Sequence, residues 1–155
     1  MLDVLIAQAP GRCQVFFNIS KNVGIASPND QIDVELVQLG YFCAAINPAN
    51  PAPAEAKAIW KLVKPGERYT GTQTDPLSKA IEADQIRRGA QRDGHVSRIK
   101  SDLQYVTKTG GKEPFLLVGL CNNISDVLVS VYPRIDLDPR CPVNLAAHIK
   151  QLLRN

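Results

Sequence analysis

The chain contains few of the residues that form metal or redox sites. Its 155 residues include only two histidines and four cysteines, and the cysteines lie far apart without a Cys-x-x-Cys pair. Structural zinc sites need four such ligands at short spacings, so we expect no metal site and no cofactor. Free, mostly buried thiols are expected, with one or two disulfides as the alternative if the protein acts outside a cell.

Long apolar runs and a strong excess of charge are also missing. No stretch approaches the ~18 uninterrupted apolar residues of a membrane helix, and no basic segment precedes the apolar run at the N-terminus. We therefore expect no membrane contact, no signal peptide and synthesis in the cytoplasm. The 18 Lys and Arg exceed the 15 Asp and Glu by a formal charge of +3. Without a row of stacking aromatics, so mild an excess does not predict nucleic-acid binding.

What the chain does contain is ordinary for a globular domain. Hydrophobic residues make up 45% of the sequence and charged residues 21%. A single domain over 1–155 is expected, because this length buries a sufficient core and no low-complexity linker divides it.

Residue patterns predict a mainly α-helical chain with a minor β component. Apolar residues recur at helical spacing in several segments, and proline or glycine marks most of their ends. A Pro-rich stretch at 48–53 is predicted to be a stiff connection. The predicted elements are a strand at 13–19, helices at 30–46, 54–64 and 75–89, a strand at 103–107, one or two helices within 114–131, and a closing helix at 142–153.

The helix at 75–89 carries the clearest local signals. Asp75 is a predicted N-cap, followed by a proline in the first turn, and Gly89 is the predicted end. Asp84 is unusual, because a carboxylate occupies a position on the apolar face of this helix. Arg88 follows one turn later, which predicts an ion pair between them.

Two segments, 23–42 and 69–97, resemble the peptidoglycan-binding-domain-like family of small helical modules. The first helix has the Asp-Val-x-x-hydrophobic-Gln pattern, and a loop glycine, an Ala-hydrophobic-x-x-x-Gln helix and an Asp-Gly turn with a hydrophobic residue follow. The residues that carry these motifs are Asp33, Val34, Val37, Gln38, Gly71, Ala80, Ile81, Gln85, Asp93, Gly94 and Val96.

The resemblance covers about half of the chain. It implies a small helical bundle of the peptidoglycan-binding-like type over 23–100, with 101–155 as a C-terminal helical extension packed on it. Three positions depart from the family pattern: Thr70 replaces an Asp, Leu77 replaces a Thr, and Asp84 replaces an aromatic residue. A helical insertion at 49–64 is also extra.

The function implied by the resemblance is non-catalytic binding of peptidoglycan or a muropeptide. Cell-wall peptides carry carboxylates and hydroxyls, which cationic donors beside a groove would recognise. Basic residues cluster near the end of the 75–89 helix, although arginines there also suit a helix C-terminus and simple solvation. The expected ligand-binding residues are Tyr69, Gly71, Gln85, Arg88, Arg92, Asp93, Gly94 and His95.

Alternative functions remain open at this stage. The departures favour a protein–protein adaptor, in which the strand near Phe16 and the apolar segment 115–131 contact partners. A cell-wall hydrolase is a more distant alternative, because Glu82 and Asp84 diverge on a helix and no catalytic constellation stands out. Without an export signal, the wall-binding hypothesis requires delivery to the cell envelope by a phage particle, a secretion system or lysis.

Overall fold

The computed structural model describes residues 2–9, 12–99 and 116–154. Within these ranges the protein is mainly helical, with two small antiparallel sheets, which confirms the expected fold class at that level. The helices are α1 (Gln31–Ile46), α2 (Ala54–Trp60), α3 (Pro76–Arg88), α4 (Leu116–Val127) and α5 (Val143–Leu152), with a 3-10 turn at Ile135–Leu137. The strands are β1 (Asp3–Ala9), β2 (Arg12–Asn18), β3 (Val23–Gly24) and β4 (His95–Val96).

The N-terminal hairpin pairs β1 with β2 in antiparallel register, from Asp3 opposite Asn18 to Ala9 opposite Arg12. The second strand was predicted, whereas β1 was not, because its short apolar run shows no strand pattern by itself. At the end of the hairpin, Phe16, Phe17 and Ile19 are buried in the core. The strand predicted at 103–107 lies outside the described residues.

Helix α1 is the central element of the described core. Every residue from Asp33 to Tyr41 is buried, and α2, α4 and α5 all contact this helix. The apolar spacing predicted an amphipathic helix with one buried face, but α1 is enclosed on all sides. Its polar residues are therefore buried as well, and each must find a hydrogen-bond partner.

The buried polar residues of α1 fasten other segments to it. Asp33 accepts hydrogen bonds from the backbone of Ser20 and Lys21 at 3.0 and 3.1 Å. Glu35 accepts one from the amide of Leu145 in the first turn of α5, at 3.3 Å. The Gln38 amide donates to the carbonyl of Glu67 at 2.8 Å, and its oxygen accepts from Gly66 N at 3.0 Å. These bonds tie the segment at 20–21, the loop at 66–67 and the start of α5 to buried side chains of α1.

Helix α3 begins and ends as predicted. The Asp75 carboxylate accepts a hydrogen bond from Leu77 N at 2.9 Å, and Gly89 ends the helix in a left-handed conformation. Leu77, Ala80 and Ile81 are all buried, as their shared face indicated.

Helix α2 is shorter than predicted, and it ends at Trp60. This tryptophan is buried, as expected for a packing residue, and its indole donates to the carbonyl of Ala80 at 3.1 Å. Leu62 follows Ile59 at helical spacing, which favours a shared core face, but it lies in the turn after the helix and its side chain is 60% exposed.

The small sheet of β3 and β4 brings residues 23–24 against the segment after α3. Val23 lies opposite Val96, and Gly24 lies opposite His95. A Cβ atom on Gly24 would lie 2.2 Å from the carbonyl oxygen of Gly94, and the φ of Gly24 is +138°. Only glycine fits this contact, because a side chain here would both clash with backbone and strain its own dihedral.

We therefore expect Gly24→Ala to destabilise the protein strongly, by about 3 kcal/mol from strain and overpacking together. Gly89→Ala is the matched control, because Gly89 has a φ of +62° but nothing within 4 Å of its added Cβ. This control should cost only about 1 kcal/mol. Urea unfolding of both variants measures the difference, and equal losses would mean that the close approach of β3 and β4 is unimportant.

Candidate functional site

The Asp-Gly turn after α3 is held by one side chain of that helix. The Gln85 amide nitrogen donates to Asp93 Oδ1 at 2.8 Å and to the His95 carbonyl at 3.1 Å. The Gln85 oxygen accepts from Gly94 N at 3.2 Å. Gln85 is itself buried, so these three bonds fix the turn against α3 in one orientation.

A cleft of about 250 Å³ lies between this turn and α3. Its walls carry a hydroxyl, carboxamides, carboxylates and a guanidinium, a mixture that suits a ligand rich in hydroxyl and amide groups. Arg92 and Glu82 form an ion pair of 2.9 Å at its edge, and both side chains are more than half exposed. The lining residues are Ile25, Gln73, Ser78, Glu82, Gln85, Arg92, Asp93 and Gly94.

Four of the eight predicted site residues line this cleft, namely Gln85, Arg92, Asp93 and Gly94. Two others lie next to it in the fold. The Tyr69 hydroxyl is hydrogen-bonded to the Ser78 hydroxyl at 2.6 Å, and His95 Nε2 lies 3.4 Å from Asp93 Oδ2.

The remaining two predicted residues lie elsewhere. Gly71 is in the loop before α3, where a Cβ atom added to it would lie 3.9 Å from the Asn29 side chain. Arg88 is on another side of α3 and lines a different cleft. The structure therefore does not assemble the eight residues into one surface.

The four arginines at 87, 88, 92 and 98 do not form a joint basic cluster. Arg92 pairs with Glu82, and Arg98 pairs with Asp3 of β1 at 3.2 Å. Arg87 and Arg88 both approach Asp84. Simple solvation does not describe these arginines fully either, because each of the four guanidinium groups has a carboxylate partner.

Asp84 is a buried carboxylate at the centre of this arrangement. Its Oδ1 accepts a hydrogen bond from Arg88 Nε at 2.7 Å, as the one-turn spacing predicted, and Arg87 Nε lies 3.7 Å away. Its Oδ2 accepts from the Tyr41 hydroxyl at 3.1 Å. Burial, followed by the Asp84 charge, raises the pKa of Tyr41 well above its usual value, so this hydroxyl remains a donor.

A second cleft, of about 580 Å³, opens beside these arginines. It lies where the end of α1, the segment 49–51, the end of α3 and α4 meet. Its polar lining residues are Asn47, Asn50, Arg87, Arg88, Asn122, Asn123 and Asp126. Sequence patterns did not predict this site, because its residues come from four separate segments and the stretch at 48–53 resembles a connection. The Asn-Pro repeats and the Asn122-Asn123 pair were the available signals.

The surroundings of Glu82, Asp84 and Cys121 bear on whether these side chains could act in catalysis. Glu82 is exposed and paired with Arg92, whereas Asp84 is buried and bound by Tyr41, so the two carboxylates face different surroundings. Cys121 is buried and donates to the Phe17 carbonyl at 3.4 Å. Burial raises the pKa of Cys121 to about 12, which leaves the thiol protonated at neutral pH.

Within the described ranges, no three His, Cys, Asp or Glu side chains are close enough together to hold a metal ion, and none of the helices is long and apolar enough to cross a bilayer. Searches against protein-family models, curated proteins and solved structures returned no match for this chain.

The Asp84 contacts predict a coupled loss of stability. Asp84→Asn should cost about 3 kcal/mol, because it leaves two partly buried guanidinium groups without their carboxylate. Tyr41→Phe should cost about 1.5 kcal/mol, the typical value of a hydrogen bond to a charged group. Urea unfolding of both variants and of the double variant should give a combined loss smaller than the sum. Strict additivity would show that the two side chains do not interact.

The cysteines give a prediction that depends on pH. Cys43, Cys121 and Cys141 are free and buried, and burial raises the pKa of each thiol to about 12. At pH 8 only about one thiol in ten thousand would then be ionised, so iodoacetamide should leave these three unmodified in the folded protein. In urea at the same pH all three should react. Peptide mass mapping measures this, and rapid labelling of Cys121 in the native state would contradict it.

Proposed function

We propose that this chain is a non-catalytic binding module for bacterial cell-wall peptidoglycan, of the peptidoglycan-binding-like type, and that the cleft beside Arg92 and Asp93 contacts the wall. The observation that carries the proposal is the turn fixed by Gln85. A prearranged turn loses little entropy on binding, so even a shallow polar cleft can hold a ligand.

The chemistry of this cleft suits a glycan or a stem peptide. Gln73 and the Arg92–Glu82 pair are exposed and offer donors and acceptors for hydroxyl and amide groups, and Asp93 adds a carboxylate. A wall fragment is a polymer, so weak contacts at one cleft can be multiplied when several modules bind the same sacculus. Delivery by a phage or secretion-system assembly belongs to the same proposal.

The adaptor alternative loses its expected contact surface. Phe16 is 3% exposed, and most described apolar residues of the predicted contact segment 115–131 are buried in the core of this chain, whereas Val129 is 75% exposed. The buried residues include Leu117, Val118, Leu120, Cys121, Ile124 and Leu128. A partner protein would have to bind through other residues.

The test is co-sedimentation with purified peptidoglycan sacculi at low and at moderate salt. We expect binding that persists at moderate salt, and we expect Arg92→Ala to weaken it about fivefold, the effect of one solvent-accessible charged contact. The thermal midpoint should hardly change, because Arg92 and Glu82 are exposed. Arg88 is unsuitable for this test, since its removal would leave Asp84 without its closest cation.

Arg154→Ala is the matched control, because it removes the same charge from an exposed position after α5. It should bind sacculi as the unmodified chain does. Retention at low salt only, lost equally in both variants, would indicate general attraction between a cationic protein and a polyanion. That result, or no retention at either salt concentration, would contradict the proposal.

A further inference from the structure

The second cleft, beside Arg87 and Asp126, combines charges of both signs on opposite elements. Arg87 and Arg88 come from the end of α3, and Asp126 comes from the last turns of α4. Asp84 lies within ion-pair distance of both arginines. The walls therefore place guanidinium groups at the α3 end and a carboxylate at the α4 end. Such an arrangement disfavours a polyanion and favours a ligand with separated opposite charges.

The guanidinium of Arg87 is held in place before any ligand arrives. Its carbon lies 5.7 Å from the centre of the Trp60 ring, and its Nε lies 3.7 Å from Asp84 Oδ1. That Nε is buried and has no hydrogen-bond partner among the residues that the structure describes. A planar guanidinium fixed in this way presents its remaining donors with little entropy left to lose.

The opposite wall is fixed by a carboxamide. The Asn47 side chain, just after α1, donates to Asn123 Oδ1 at 2.9 Å and to Asp126 Oδ2 at 3.0 Å. In the described part of the chain Asp126 has no ion-pair partner, and its side chain is exposed. Among the described residues its carboxylate is therefore oriented by a neutral donor and not by a cation, and it lines the cleft.

We propose that this cleft binds a short peptide or amino acid with free termini, with the ligand carboxylate at Arg87 and the ligand ammonium group at Asp126. Guanidinium groups bind carboxylates through paired hydrogen bonds, and a carboxylate is the natural partner for an ammonium group. A volume of about 580 Å³ lies in the usual range of small-ligand sites. This site is separate from the cleft proposed for the wall, and neither proposal depends on the other.

The experiment is calorimetric titration of the full chain with alanyl-alanine, as L,L and D,D forms, up to about 10 mM, a range that detects millimolar affinity. N-acetyl-alanyl-alanine lacks the ammonium charge, and alanyl-alanine amide lacks the carboxylate. We expect one of the unblocked dipeptides to bind, and each blocked form to bind at least fivefold more weakly, the equivalent of about 1 kcal/mol per charge pair.

Asp126→Asn identifies the end of the cleft that holds the ammonium group. This change keeps an oxygen that can accept the Asn47 hydrogen bond, so the fold should be retained, and the thermal midpoint checks that it is. In this variant the unblocked dipeptide should bind only as well as the acetylated one, while the effect of amidation persists. Arg87→Gln should give the converse pattern. Glu67→Gln, which removes an exposed charge elsewhere, should bind like the unmodified chain.

Two outcomes would overturn the proposal. One is the absence of binding by either unblocked dipeptide. The other is that the folded Asp126→Asn variant still binds the unblocked dipeptide more tightly than the acetylated one, by the same factor as the unmodified chain does. The sacculus assay tests Arg92, whereas this titration tests Asp126 and Arg87. Failure of one proposal is therefore distinguishable from failure of the other.

Discussion

The buried carboxylate of Asp84 is the constraint on which the C-terminal end of α3 and its neighbours depend. A charge in the core is tolerated only with close partners, and Asp84 obtains them from α1 through Tyr41 and from its own helix through Arg88. The same requirement draws Arg87 inward until it lies over Trp60, at the end of α2. One acidic side chain thus links three helices and determines where two guanidinium groups emerge.

A second theme is the use of side-chain amides on or next to helices to hold neighbouring segments. Gln38 binds the backbone of the loop at 66–67, Gln85 binds the turn at 93–95, and Asn47 binds two side chains of α4. Gln38 and Gln85 each use a donor and an acceptor, so they satisfy both kinds of backbone group in the segments they bind. Gln38 and Gln85, which carry part of the resemblance, therefore also stabilise the fold. The two clefts form beside the segments that Gln85 and Asn47 bind.

Sequence patterns were sufficient where local chemistry decides the structure. The cap at Asp75, the stop at Gly89 and the pairing of Asp84 with Arg88 all follow from spacing within one helix. The patterns were insufficient where distant segments meet. Strand β1 exists through its pairing with β2, and α1 is buried on all sides because three other helices surround it. The residues that line the cleft beside Asp126 come from four segments. The spacing of apolar residues within one segment cannot predict such a contact.

Helix α3 explains how one element can border two chemically different clefts. Ser78, Glu82 and Gln85 recur at spacings of four and three residues, and so share one stripe that faces the Asp-Gly turn. Asp84, Arg87 and Arg88 recur at three and four residues on another stripe, which faces α2 and the cleft shared with α4. The ion pair beside the first stripe, Arg92–Glu82, is exposed, whereas the carboxylate of the second stripe, Asp84, is buried. Changes to Arg92 or Glu82 should therefore leave the core and the second cleft intact.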